Sequence, residues 1–155
     1  MTTASVARVV LAPRERQVLE GLADGSTIAV VALDLKIRES TARGYLKLAK
    51  TKLHGVSDTT AALTIGYATK ALTHPLLLDP DTLCLPREKR DLVALTARGM
   101  TPAQMATKLD RPVTDVRADG RELLTLLGAR NRTHLVTRAW QFQILSTDLV
   151  ATWLR

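Results

Sequence analysis

Cysteine and aromatic residues are the scarce components of this chain. Cys84 is the only cysteine among 155 residues, so no intrachain disulfide can form and no cysteine cluster can hold a metal. A reducing cytoplasm fits that usage. The aromatics are Tyr45, Tyr67, Trp140, Phe142 and Trp153, so the core must be built from Leu, Val and Ala, a composition that favours helices over strands. Long apolar runs are missing as well. The longest uncharged stretch, Thr59 to Thr69, is far too short to span a bilayer, and Met1 to Leu11 carries Arg8 without an apolar signal core. The expectation is a cytoplasmic protein, neither secreted nor inserted in a membrane. There is no P-loop and no dinucleotide glycine pattern. His54, His74 and His134 are not spaced as metal ligands or as partners of a catalytic carboxylate. No enzyme, cofactor or metal site is expected.

Acid is in short supply relative to base. Lys and Arg number 22 against 15 Asp and Glu, a formal charge of +7, which draws polyanions such as nucleic acid and serves equally as a general solvated surface. Hydrophobic residues at 46% and charged residues at 24% are ordinary for a packed globular chain and exclude disorder.

What the sequence has in abundance is internal similarity. A shift of 74 residues places Leu11, Arg16, Ala23, Gly25, Thr27, Ala29, Ala32, Leu35, Arg43, Thr51 and Leu53 on Leu85, Arg90, Ala97, Gly99, Thr101, Ala103, Ala106, Leu109, Arg117, Thr125 and Leu127. These identities run without a gap from position 11 to 53, and after Leu53 the register slips by one at His54, so that Tyr67 meets Trp140. Such self-similarity is the mark of a duplicated unit.

Each copy parses into four helices by apolar spacing and punctuation. In the first, Pro13 opens a helix whose inward face is Val18, Leu19, Leu22 and Ala23, and Gly25 ends it. Thr27 caps a short second helix with Val31, Ala32 and Leu35 inward. A third is predicted from about Ser40 to Leu53, and a fourth from about Thr59 to Leu72. The second copy repeats the pattern with Thr101 and Pro102 as its start signal and a third helix beginning near Thr114. Pro75, Pro80 and Asp81 mark a linker whose Leu76, Leu77 and Leu78 are expected to be pinned to one unit. Ser146 or Thr147 caps a last helix presenting Leu149, Val150, Trp153 and Leu154. The fold expected is all-α, with two tandem four-helix units at 1–72 and 85–155, a linker at 73–84 and a helical tail.

Leu11-Ala12-Pro13-Arg14-Glu15-Arg16-Gln17-Val18-Leu19 followed by Ala23-Asp24-Gly25, and Leu127-Gly128-Ala129-Arg130-Asn131-Arg132-Thr133-His134-Leu135-Val136, resemble the opening and closing signatures of the LuxR-type (GerE-like) DNA-binding domain. The resemblance implies bacterial four-helix units in which the second and third helices form a helix-turn-helix. It also implies an output module without the usual receiver or sensor, controlled by its abundance or by a partner. The third helices depart from the family pattern, which commonly opens on a Ser cap and runs Thr-Val-Lys-x-His. The first copy has Arg38 at the cap and Thr41-Ala42-Arg43-Gly44-Tyr45 after it. The second has Pro112 and Asp115-Val116-Arg117-Ala118-Asp119. Gapless alignment puts Arg111 on the core residue Ile37, and Val113 is expected to fill that place instead.

Charge separates the copies. From Lys36 to His54 six bases, Lys36, Arg38, Arg43, Lys47, Lys50 and Lys52, stand against Glu39, a net of +5. From Asp110 to Gly128 three arginines stand against Asp110, Asp115, Asp119 and Glu122, a net of −1. A helix in the major groove needs basic or polar outward side chains. Arg38, Glu39 and Ser40 are therefore candidates for base edges, and Arg43, Lys47 and Lys50, which share a helical face, for phosphates. A solvated charged face is the other reading. The carboxylates of the second copy would repel phosphate from its outer face, which assigns that copy a structural or docking role. Arg130 and Arg132 are open to either a DNA backbone or solvent. Trp140 and Trp153 read as core or interface anchors. The fourth helices around Ile65 and Val136 are expected to pair, as an internal pseudo-dimer or between two chains of a homodimer. The partner expected is double-stranded DNA, and the alternative is another transcription protein contacted without DNA.

Overall fold

The computed structural model describes residues 6–154. Among these the chain is all-α, without a strand. Four helices, α1 (Pro13–Leu22), α2 (Ile28–Leu35), α3 (Glu39–Lys52) and α4 (Thr59–Ala68), precede a single 3-10 turn at Pro80–Thr82. Five more follow: α5 (Arg87–Ala97), α6 (Pro102–Leu109), α7 (Val113–Leu127), α8 (Arg132–Gln141) and α9 (Thr147–Trp153). Pro13 and Arg87, Ile28 and Pro102, and Glu39 and Val113 each open helices 74 positions apart, whereas Thr59 and Arg132 are 73 apart. The one-residue slip at His54 is thus present in the backbone.

Local chemistry accounts for the helix starts. Glu15 in the first turn of α1 accepts the Ala12 N–H at 2.9 Å, satisfying a donor that the helix leaves over. Thr27 caps α2 through the Val30 N–H, and Thr101 forms a reciprocal capping box with Gln104 on α6. Asp58, Asn131 and Ser146 cap α4, α8 and α9. Both α2 and α6 end on a left-handed residue, Lys36 and Asp110, after which Ile37 and Arg111 donate to Ala32 and Ala106 at 3.0 and 3.1 Å. Arg111, not Val113, therefore takes the place equivalent to Ile37. Its side chain is partly exposed and its guanidinium pairs with Asp119 at 2.7 Å.

Two apolar clusters result. A small one joins Val18, Leu22, Val31, Ala32 and Ala42 of α1, α2 and α3. A large one runs from Leu11 and Leu19 through α4 to α5, α7, α8 and α9. At its centre lies α4, buried at every position from Thr60 to Ala68, as expected of a helix that is apolar all round. It packs against α8, α9 and α5. Its hydroxyls find acceptors on the facing helices: Thr60 Oγ1 donates to the Thr96 carbonyl at 3.1 Å and Thr64 Oγ1 to Ala97 at 2.8 Å, while Tyr67 Oη meets Thr137 Oγ1 at 3.0 Å.

The fourth helix is shorter than the apolar pattern predicts. It stops at Ala68 because the Thr69 hydroxyl bonds back to Ile65, Lys70 turns left-handed (φ 63°), and Leu72 N–H folds onto the Gly66 carbonyl at 3.1 Å. Gly66 makes the turn possible, since a Cβ there would fall 2.7 Å from Leu72 Cδ1. The linker leucines also differ from expectation: Leu76 and Leu77 are 77% and 54% exposed. The linker is held by other groups. Leu78 N–H donates to Gln141 at 2.8 Å, and the His74 ring sits edge-on to Trp140 with 5.5 Å between centroids. Trp140 is a core residue, 1% exposed, tilted against Tyr67. Ile65 on α4 and Val136 on α8 are buried, and these two helices pack on each other within the chain. The tail is covered internally as well. Val150 is fully buried, α9 packs on α4, and Trp153, half-buried, lies 5.5 Å beneath the Arg98 guanidinium.

Candidate nucleic-acid interface

The third helix of the first half turns one side to the core and the other to solvent. Ala42, Ala49 and Leu53 are buried, and Tyr45 and Leu46 half-buried against the α1–α2 layer. The opposite side presents Ser40, Thr41, Arg43, Gly44, Lys47, Leu48 and Thr51. This division follows from the 3.6-residue period, with Ala42 and Ala49 two turns apart on the inner face. Small inner residues let α3 lie close on α1 and α2.

The side chains expected to meet nucleic acid fall into three groups. Arg38 is the exposed N-cap of α3 and makes no capping bond with its side chain, so its guanidinium is not committed to the helix end. Glu39 accepts from Arg43 at 2.6 Å across one helical turn, leaving the two with no net charge between them. Lys47 and Lys50 border an open groove of about 440 Å³ that also includes Arg43, Leu46 and Thr51 and the turn Gly55-Val56-Ser57. Lys50 Nζ reaches the Ser57 carbonyl at 3.1 Å, which fixes its stem along the groove while two N–H donors remain. Arg43, Lys47 and Lys50 are thereby brought together, and Ser40 lies at the helix start beside Arg38.

Lys52 behaves differently from the other bases of the window. Its Nζ lies 2.7 Å from Glu15 Oε1, whose carboxylate is almost wholly buried. Burial pushes the Glu15 carboxyl up, yet the bonds from Lys52 and the Ala12 N–H outweigh it and hold the group below its ordinary value. Lys52 is thus engaged in closing α3 onto α1. With Arg43 paired to Glu39 as well, Lys36, Arg38, Lys47 and Lys50 are the bases of the window without a carboxylate partner among the described residues.

Sequence reasoning missed Thr41, Gly44, Leu48 and Thr51, which share the exposed side. The spacing from Ala42 and Ala49 was the signal that could have found them, since charge alone singled out lysines and arginines. Gly44 stands out because a Cβ there would meet nothing within 4 Å. A mid-helix glycine costs about 0.5 to 1 kcal/mol relative to alanine, so this one is not explained by packing. Close approach of the α3 backbone to another molecule is the use such a gap allows.

In the second half Asp110, Asp115 and Glu122 are exposed as expected, and Asp119 alone is drawn inward. Asp119 is half-buried, bonded to Arg111 at 2.7 Å and 3.6 Å from Lys89, and Glu122 accepts from the same lysine at 2.6 Å. The Arg111 bond, aided by Lys89, holds the Asp119 carboxyl below its ordinary value despite burial. Two of the four acids in that window are therefore neutralised by internal partners. Arg130 is exposed, whereas Arg132 reaches the Met100 carbonyl at 2.5 Å.

Residues 9–65, which run from the segment before α1 into α4, match the family profile described as bacterial regulatory proteins, luxR family. These residues are a luxR-type helix-turn-helix domain. Domains of this family are DNA-binding regulators of transcription rather than enzymes. No curated protein and no solved structure matches the chain. Among the described residues no helix is long and apolar enough to cross a membrane.

Proposed function

We propose that the chain regulates transcription by binding duplex DNA through α3 of the luxR-type domain. Arg38, Glu39 and Ser40 face base edges, and Arg43, Lys47 and Lys50 face phosphates. The observation that carries this reading is the division of α3 into a small-residue inner face and an outer side of Ser40, Arg43, Gly44 and Lys47 above a basic groove. Residues 73–84 are the linker in this reading, and 85–155 form a divergent copy of 1–72, supported by the equal spacing of their helices. The second copy takes the place of a dimer partner: α8 covers α4 as the same helix of another chain would, which makes the molecule an internal pseudo-dimer with one reading head.

Titration of random-sequence duplex across a salt series tests the proposal. Affinity is expected to fall steeply as salt rises, because phosphate contacts release counterions. Arg43→Ala is expected to weaken binding more than Lys47→Ala or Lys50→Ala, and Arg117→Ala to leave it nearly unchanged. Loss with Arg117→Ala but not with Arg43→Ala would transfer the reading head to α7.

A second reading is an interaction module that contacts another transcription protein without DNA. The exposure of Leu33 on α2 and Leu48 on α3, 76% and 51%, favours it, since apolar side chains on the same helices suit protein contact. Absence of duplex binding even at low salt decides for this second reading.

A further inference from the structure

The halves differ most in what lies under their third helices. Beneath α7 is an open-sided cavity of about 310 Å³ between α5, α6, α7 and α8. Its walls are apolar, chiefly Leu92, Met105, Val116, Leu123, Leu124 and Leu135, and Thr96, Arg117, Arg121 and Arg132 supply the polar groups. That size is at the lower end of small-molecule sites, which commonly run from about 300 to 1,000 Å³.

Two positions explain the void. Leu46 and Leu22 of the first half have Gly120 and Thr96 as counterparts 74 residues on. In the first half Leu22 belongs to the buried cluster of α1, α2 and α3, and Leu46 packs against it. In the second, a Cβ on Gly120 would meet nothing within 4 Å. Thr96 is buried; its carbonyl accepts from the Thr60 hydroxyl, and its own hydroxyl donates to the Met105 sulfur at 3.7 Å. Two leucine side chains are in effect missing, and a polar group is left within the space.

The charges around the cavity select its occupant. The acids of α7 nearest to hand, Asp119 and Glu122, are taken by Arg111 and Lys89. Arg117 and Arg121 have no carboxylate partner among the described residues. Both are exposed residues of the lining, whose other members are apolar apart from Thr96, Gly120 and Arg132. A ligand matching this pattern has an apolar body and one terminal carboxylate, which guanidinium donors bind in a bidentate manner. We propose that the second half is a ligand-binding unit for a small apolar carboxylic acid of medium-chain fatty-acid size, with the chain between α5, α6 and α8 and the carboxylate on Arg117 and Arg121. This goes beyond the DNA reading and stands without it.

The test uses the full chain, decanoate below its micelle concentration as the probe, and amide chemical shifts with calorimetry as readouts, with no DNA present. Saturable one-to-one binding is expected, with shifts centred on Thr96, Gly120 and Leu124. Gly120→Leu, and independently Thr96→Leu, restores the side chain found in the first half. Each is expected to weaken binding at least tenfold while the melting temperature holds or rises, so loss cannot be attributed to unfolding. Arg117→Gln with Arg121→Gln is expected to weaken decanoate about tenfold and leave decanol unaffected, whereas Arg14→Gln with Arg87→Gln, an equal loss of charge elsewhere, changes neither. No binding by the wild type, undiminished binding in both leucine variants, or decanol binding as tightly as decanoate would overturn the proposal.

Discussion

The side-chain amide of Asn131 donates to the carbonyl of Gly25 at 2.8 Å, across 106 positions of sequence. The same side chain caps α8 by accepting the His134 N–H at 3.0 Å. A related contact occurs on the other side. Asp58, which caps α4, lies against Gly99, where a Cβ would come within 3.2 Å of the aspartate Cβ. The caps of α4 and α8 are thus seated on the turns at Gly99 and Gly25. Both glycines have positive φ, 92° and 88°, which an L side chain adopts poorly.

Asn131 should matter to stability through both of its bonds. Asn131→Ala is expected to cost about 1 to 3 kcal/mol, the loss of a cap together with a cross-half hydrogen bond. Asn131→Asp keeps the capping oxygen and loses only the donor to Gly25, so its cost should be about half as large. Urea unfolding with an unchanged m-value checks the order of the two variants.

His134, beside the same seam, sets a pH dependence. Burial lowers its pKa below the ordinary 6.5, and Arg138 and Arg130 add to the effect while Asp24 opposes it. Its Nδ1 also accepts the Arg130 N–H at 3.1 Å, a bond that only the unprotonated nitrogen can make. The unfolded chain therefore binds the proton more readily than the folded one. The contribution to stability is fully present above about pH 6.5 and is lost as pH falls through the depressed folded value. Urea midpoints measured from about pH 8 down to about pH 5 should decline in the wild type, and less so in His134→Gln.

Lys52→Ala separates a structural lysine from the ones facing outward. It strands the Glu15 carboxylate with the Ala12 N–H alone, at an expected cost of about 1 to 2 kcal/mol once the partial exposure of Lys52 is allowed for. Because the Glu15 pKa is lowered in the folded state, the bonds to it stabilise above the ordinary carboxylate range. The difference between wild type and variant should shrink as pH falls through the folded value. If α3 meets phosphates, Lys47→Ala flattens the salt dependence of duplex binding by about one unit of slope, and Lys52→Ala flattens it much less.

Gly44→Ala tests the gap on the outer side of α3. The unfolding midpoint should rise, by about 0.5 to 1 kcal/mol in free energy, because nothing obstructs the added methyl. Duplex affinity measured in parallel should fall. A variant that is both more stable and unimpaired in binding would show that the backbone of α3 is not approached there.

The helices were legible because their signals are local. Thr27, Thr101 and Ser146 accept from donors within their own first turn, and Pro13 presets the backbone at the first position of its helix, so residue order is sufficient to place them. What the sequence concealed depends on distant partners. Lys52 and Lys47 look alike in the chain, and only the folded position of Glu15, 37 residues away, distinguishes them. Asp119 reads as an outward acid until Arg111 and Lys89 are seen on either side of it. The apolar run after Thr59 gave no warning of its break at Ala68, which arises from Leu72 closing on Gly66. In the candidate interface, charge found Arg43, Lys47 and Lys50, whereas the neutral members Gly44 and Thr51 needed the orientation of the helix.

The burial of α4 also bears on how the chain is made. Its main companions α5, α8 and α9 all follow it in sequence, so in a nascent chain extended only to residue 72 α4 is covered on the side of Leu11, Leu19 and Leu53 alone, and the rest of its apolar surface waits for helices not yet synthesised. The cluster of α1, α2 and α3 draws on residues 18–42 and can condense early. For α4 the wait lasts until translation has delivered α8, with a chaperone or a premature encounter with a neighbouring nascent chain as its competitors in the interval.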